Sequence, residues 1–146
     1  MLAALLRRLG NTVLCTRRDQ SRPDADLLFD SDRDLLPQPD ALQGITHLLS
    51  TIPPSPEGQD PALHCLRSQL ESMPLQWVGY LSTTGVYGDT QGNWVRETDP
   101  ARPGQARSRR RLDCEAAWRD SGLPIQILRL PGIYGPGRSV LNTVQE

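Results

Sequence analysis

Three short stretches carry the residue types that could do chemistry. Residues 80–89, YLSTTGVYGD, offer hydroxyls at Ser82, Thr83 and Thr84 and a phenol at Tyr87. Residues 106–115, ARSRRRLDCE, hold Arg107, Arg109, Arg110 and Arg111, with Glu115 shortly after. Residues 127–138, ILRLPGIYGPGR, contain Arg129 and Tyr134. A threonine hydroxyl can orient a substrate oxygen, and a phenol of lowered pKa can act as a general base. Arginine stays protonated at any ordinary pH, so it supplies charge and hydrogen bonds but takes no proton. The arginine run is open to three readings: a basic patch for nucleic acid, an exposed helix face, or the altered remains of a catalytic helix.

Composition narrows these readings. The chain of 146 residues has 16 basic and 17 acidic residues, a net charge of -1. No global field draws it toward nucleic acid or anionic lipid. Every basic residue is arginine and lysine is absent. That excludes, within this chain, a Schiff-base lysine, a Walker-type phosphate lysine and a lysine that tunes a tyrosine. Cys15, Cys65 and Cys114 are widely spaced, and His47 and His64 stand at no ligand spacing from them, so no metal site and reduced cytoplasmic thiols are expected. The apolar start, MLAALLRRLGN, is too short to span a bilayer, so no membrane partner is expected.

The elements that must position these residues follow from periodicity. Leu2, Leu5, Leu6 and Leu9 have helical spacing, and Gly10-Asn11 supplies a stop. Strands are predicted over 12–16, 24–30, 45–51, 76–83 and 125–130, and helices from Asp60-Pro61 through about Met73 and over 105–119. The last helix is expected to bury Leu112, Ala116 and Trp118. Apolar strands separated by helices imply a doubly wound α/β parallel sheet, with binding chemistry at the carboxyl ends of the strands.

The order of the three stretches resembles the extended branch of the short-chain dehydrogenase/reductases, the nucleotide-sugar epimerases and dehydratases. There a Ser/Thr-rich strand end precedes Val-Tyr-Gly, as at Val86-Tyr87-Gly88, and acid and prolines follow. A helix bearing Tyr-x-x-x-Lys comes next, with a glutamate four residues beyond the lysine, the place Glu115 takes. A later strand runs into Arg-x-x-x-x-Tyr-Gly-Pro, matched by Arg129, Tyr134, Gly135 and Pro136. Counting back from Glu115, the lysine position falls on Arg111 and the tyrosine position on Arg107.

The resemblance implies a Rossmann-like NAD(P)-binding fold, incomplete here because the first strand and its glycine-rich turn are not in the sequence. It places Thr83 at the family's catalytic Ser/Thr position and leaves Tyr87, Tyr134 and Glu97 as substitutes for the missing proton relay. For Tyr87 the alternative is packing beneath its loop. It implies cofactor contacts at Arg17 and Arg18, which favour NADP over NAD through a 2′-phosphate, and at Asp30, Thr51, Pro53, Arg111, Pro131 and Gly132. The functions implied are an oxidoreductase or epimerase-like enzyme on a sugar-like alcohol, or a non-catalytic NADP-binding sensor or scaffold. Relatives often pair through this helix, implying a homodimer. Nucleic acid is not an expected partner, since helical geometry spreads the four arginines around the cylinder and no aromatics interleave them.

Overall fold

The computed structural model describes residues 2–19, 21 and 25–135, and the chain forms two compact units. The first contains the chain up to Ile45 together with Ala62–Pro74; the second contains Thr46–Pro61 and the chain from Leu75 onward.

In the first unit, helix α1 (Leu2–Arg8) stops where the sequence predicts. The Asn11 amide donates to Leu6 O at 3.1 Å and the Gly10 amide to Arg7 O at 3.0 Å. This crossed pair requires a left-handed residue, supplied by Gly10 at φ +85°. Its leucine stripe is not covered: Leu2, Leu5 and Leu9 are all more than half exposed.

The strand predicted over 12–16 is displaced and shortened to β1 (Thr16–Arg17). The cause is Asp26, whose carboxylate accepts from the Cys15 amide at 2.7 Å and from Arg7 at 2.6 Å. Arg7 also donates to Val13 O at 2.7 Å, so side chains take backbone groups that a strand partner would have taken. β1 pairs in parallel with β2 (Leu27–Leu28), which replaces the longer strand predicted over 24–30; Asp24 lies outside the described residues. After β2, Asp30 caps a 3₁₀ turn, Ser31–Arg33, by accepting from the Asp32 amide. Helix α2 (Pro61–Ser72), almost all of it in this unit, buries Ala62, Leu63, Leu66 and Leu70, the spacing of one helical face.

The second unit holds a parallel sheet in the order β3 (His47–Ser50), β4 (Trp77–Thr83), β5 (Ile125–Leu130). β4 is paired on both edges, and its Val78, Tyr80 and Ser82 are buried. Gly79 leaves room for Trp77: a Cβ there would lie 2.2 Å from the indole Cη2 and 2.9 Å from Leu49 Cδ1. Helix α3 (Ala106–Arg119) links β4 to β5 and buries Trp118, whose ring lies 6.1 Å from that of Tyr80. Burying a side chain such as Val78 or Val86 stabilises by roughly 1.5–3 kcal/mol.

Both sheets are wholly parallel, as the α/β expectation requires.

Candidate functional site

The carboxyl end of β4 and the first turns of α3 build the candidate site in the second unit. β4 ends at Thr83, whose Oγ1 accepts from the Gly85 amide at 3.1 Å and so caps the 3₁₀ turn Thr84–Tyr87. The chain then turns at Gly88, φ +76° and ψ -153°, a region essentially reserved for glycine. A Cβ there would lie 2.1 Å from Arg102 O, so the loop before α3 closes against bare backbone.

Beneath this loop lies a buried ion cluster. Glu115, with no exposed surface, accepts from Arg129 Nη2 at 2.7 Å and Nε at 3.1 Å, from Arg119 at 3.0 Å and from Ser82 Oγ at 2.5 Å. Burial pushes its carboxyl upward, but the hydrogen bonds from Arg129 and Ser82 and the Arg129 charge outweigh that and hold it below the ordinary range. Arg129 also donates to Tyr87 Oη at 2.8 Å while its guanidinium sits 4.8 Å from the Tyr87 ring centroid. Tyr87 is thus buried with its oxygen held by Arg129.

Arg111, at the lysine position of the resemblance, is bound mostly to protein. Its Nη1 lies 3.0 Å from each of Ile52 O, Tyr80 Oη and Leu81 O, tying α3 to β4 and to the segment after β3. Its Nε and Nη2 have no hydrogen-bond partner among the described residues. The phenol of Tyr80 is raised above the ordinary tyrosine range, first by burial, with the Arg111 bond pulling the other way. Burial, followed by the Asp60 charge, lifts the Cys114 thiol to about 11. Neither group supplies an anion at neutral pH.

Above these anchors opens a cavity of about 880 Å³. Pro53 and Pro54 line it from the segment after β3, and Thr83, Gly85, Gly88 and Asp89 from the end of β4. α3 and its approach contribute Gln105, Arg107, Ser108, Arg110 and Arg111. The sequence reading expected the arginines to be spread round the helix; instead Arg107, Arg110 and Arg111, at i, i+3 and i+4, share the cavity face.

Comparison with known proteins agrees with this architecture. A conserved protein of Silicibacter pomeroyi DSS described as functionally unknown is 36% identical, with TM-score 0.81 over 98% of this chain and 52% of its own. A protein of Methylobacillus flagellatus, assigned provisionally to the NAD-dependent epimerase/dehydratases, is 30% identical with TM-score 0.72 over 99% of this chain and 53% of its own. Protein YeeZ of Escherichia coli (strain K12) is 36% identical over 124 residues, 80% of this chain and 43% of YeeZ. The fold is Rossmann-like. No protein-family model matches the chain, and the chain spans about half the length of the relatives it matches.

The sequence-predicted site residues fall in both units. Thr83, Pro53 and Arg111 are brought together on the cavity, whereas Tyr87 belongs to the ion cluster. Thr51, Pro131 and Gly132 are exposed in the second unit, as are Glu97 and Tyr134; Pro136 lies outside the described residues. Arg17, Arg18 and Asp30 belong to the first unit. There Arg17 donates to Thr16 O at 2.9 Å, Arg18 pairs with Asp32 at 3.1 Å, and Asp30 is spent on its turn. Sequence reasoning missed Ser108 and Arg110. Both were discoverable from spacing, since Ser108 precedes Arg111 by three and Arg110 follows Arg107 by three.

Proposed function

We propose that the protein binds NAD(P) in the manner of the nucleotide-sugar epimerases and dehydratases, with the proton relay of that family replaced. The observation that carries this is the cavity at the carboxyl end of β4, where Thr83 faces the same space as Arg107 and Arg111, the positions of the tyrosine and lysine. The overlay on the Methylobacillus protein supports it at the level of the whole chain.

The chain's own residues fit part of the cofactor. Arg17 and Arg18 provide cations for a 2′-phosphate, and the exposed Arg18–Asp32 pair, worth about 0–1 kcal/mol, yields readily to a stronger anion. Thr51 and Pro53 follow β3, where a parallel sheet presents ligands. No glycine-rich pyrophosphate turn is in the sequence. When bound, the dinucleotide supplies hydride chemistry; the residues here orient the substrate hydroxyl at Thr83 and surround it with positive charge.

A second reading, a non-catalytic NADP-binding sensor, is favoured by one specific observation. None of the described tyrosines lines the cavity: Tyr80 is buried, Tyr87 belongs to the ion cluster and Tyr134 is exposed. Titrating the protein with NADPH and NADH, then assaying a panel of sugar-like alcohols, separates the two. Saturable binding with turnover supports the enzyme, saturable binding without turnover the sensor, and absence of binding refutes both.

A further inference from the structure

We propose that the cavity takes a phosphate ester of a small, sugar-like molecule, the phosphate being held by Arg107, Arg110 and Ser108 at the start of α3. This deepens the reading above, since it assigns the substrate class of the same cavity.

Electrostatics carries the case. The amino end of a helix bears partial positive charge, and acids normally occupy its first turn. α3 has no acid in its first turn, and Gln105, at the cap position, makes no side-chain cap bond. Into this positive end the sequence adds Arg107, Arg109, Arg110 and Arg111. Among the described residues none of Arg107, Arg109 and Arg110 makes a salt bridge; exposed Glu57 has its carboxyl lowered first by a hydrogen bond with Ser55 and only last by Arg110. Of the residues lining the cavity, three are guanidiniums and one, Asp89, is a carboxylate, which already accepts from the Gln91 amide at 2.8 Å. Such a concentration of cations is self-repelling without an anion and stable around one.

A second observation is independent of charge. Ser108 is only 5% exposed yet lines the cavity, and its hydroxyl makes no hydrogen bond among the described residues. Its Oγ lies 2.9 Å from where a Cβ on Gly85 would stand, so the absence of a side chain at Gly85 keeps that hydroxyl accessible. A hydroxyl that opens on the cavity with no protein partner is free to donate to an acceptor bound there. Unpaired helix amides, a serine hydroxyl and forked guanidiniums form the donor set that suits a dianionic phosphate. A cavity of about 880 Å³ leaves space for the organic body, against Pro53, Pro54 and Thr83.

The test is calorimetric titration of the protein with glucose 1-phosphate, glucose and glucuronate at low and high salt. Glucose 1-phosphate is expected to bind saturably and more weakly at high salt, glucose not to bind, and glucuronate to bind more weakly than the phosphate. The double variant Arg107→Gln/Arg110→Gln should lose about tenfold or more in affinity, and Ser108→Ala several-fold. Arg111 is left intact because of its bonds to Ile52, Tyr80 and Leu81. Glucose 1-phosphate should also raise the thermal midpoint of the wild type, and the unliganded double variant should melt no lower than the wild type, since repulsion is relieved. Equal binding of glucose, preference for glucuronate, undiminished binding by the double variant, or a lower melting point of that variant would each overturn the proposal. NADPH is titrated into the same samples. Cofactor binding without phosphate-ester binding sinks this inference alone, the converse sinks only the cofactor reading, and displacement of the ester by NADPH would reassign the arginines to the cofactor.

Discussion

At the scale of single residues, Glu115 decides most. A buried carboxylate satisfied by Arg129, Arg119 and Ser82 is stable as a set and costly to break. Glu115→Ala should destabilise the fold by about 3–5 kcal/mol, because Arg129, whose side chain is only 15% exposed, loses its carboxylate partner; urea denaturation measures it. The carboxyl is held below its unfolded value, so its contribution is fully present above about pH 4.3 and is lost as pH falls through the folded value. The wild type should therefore lose stability on acidification more steeply than Glu115→Gln. Equal slopes would mean that Glu115 is not ionised in the fold. Gly88 carries a separate prediction. Gly88→Ala places a Cβ 2.1 Å from Arg102 O at a positive φ and should lower stability by at least about 1–3 kcal/mol, read from the urea midpoint. An unchanged midpoint would show that the loop before α3 is not closed as described.

At the scale of elements, β4 is the member hydrogen-bonded on both sides, while β1 and β2 pair over only two residues. Amides of Gly79 to Ser82 should exchange with solvent far more slowly than those of Leu27 and Phe29, and comparable rates would contradict the topology. The same contrast explains what could be read in the sequence. β5 was predicted with its bounds as found, because IQILRL is apolar and closed by Pro124 and Pro131. α1 ended where Gly10-Asn11 said it should. The strand predicted over 12–16 is displaced because the backbone of Val13 and Cys15 bonds to the side chains of Arg7 and Asp26, contacts that no local pattern reveals. α3 was located correctly, but its inward face was not: Ala116 is exposed, while Ser108, Cys114 and Glu115 are buried with Trp118. Hydrophobic periodicity fails where polar residues occupy the inward stripe, and here they do so because that stripe holds the ion cluster and borders the cavity.

At the scale of the whole molecule, two units each carry a wholly parallel sheet, and the residues assigned to the cofactor are divided between them. The positions of Thr83, Arg107 and Arg111 were legible from the spacing of YLSTTGVYGD and ARSRRRLDCE. Their meeting on one cavity was not, since it depends on how α3 returns to the end of β4. The central claim, a nicotinamide dinucleotide site of altered chemistry, is tested most directly by titrating the protein with NADPH and NADH while following the fluorescence of Trp77, Trp94 and Trp118. The account predicts saturable binding of both, tighter for NADPH through the cations of Arg17 and Arg18. No saturation with either dinucleotide would contradict it.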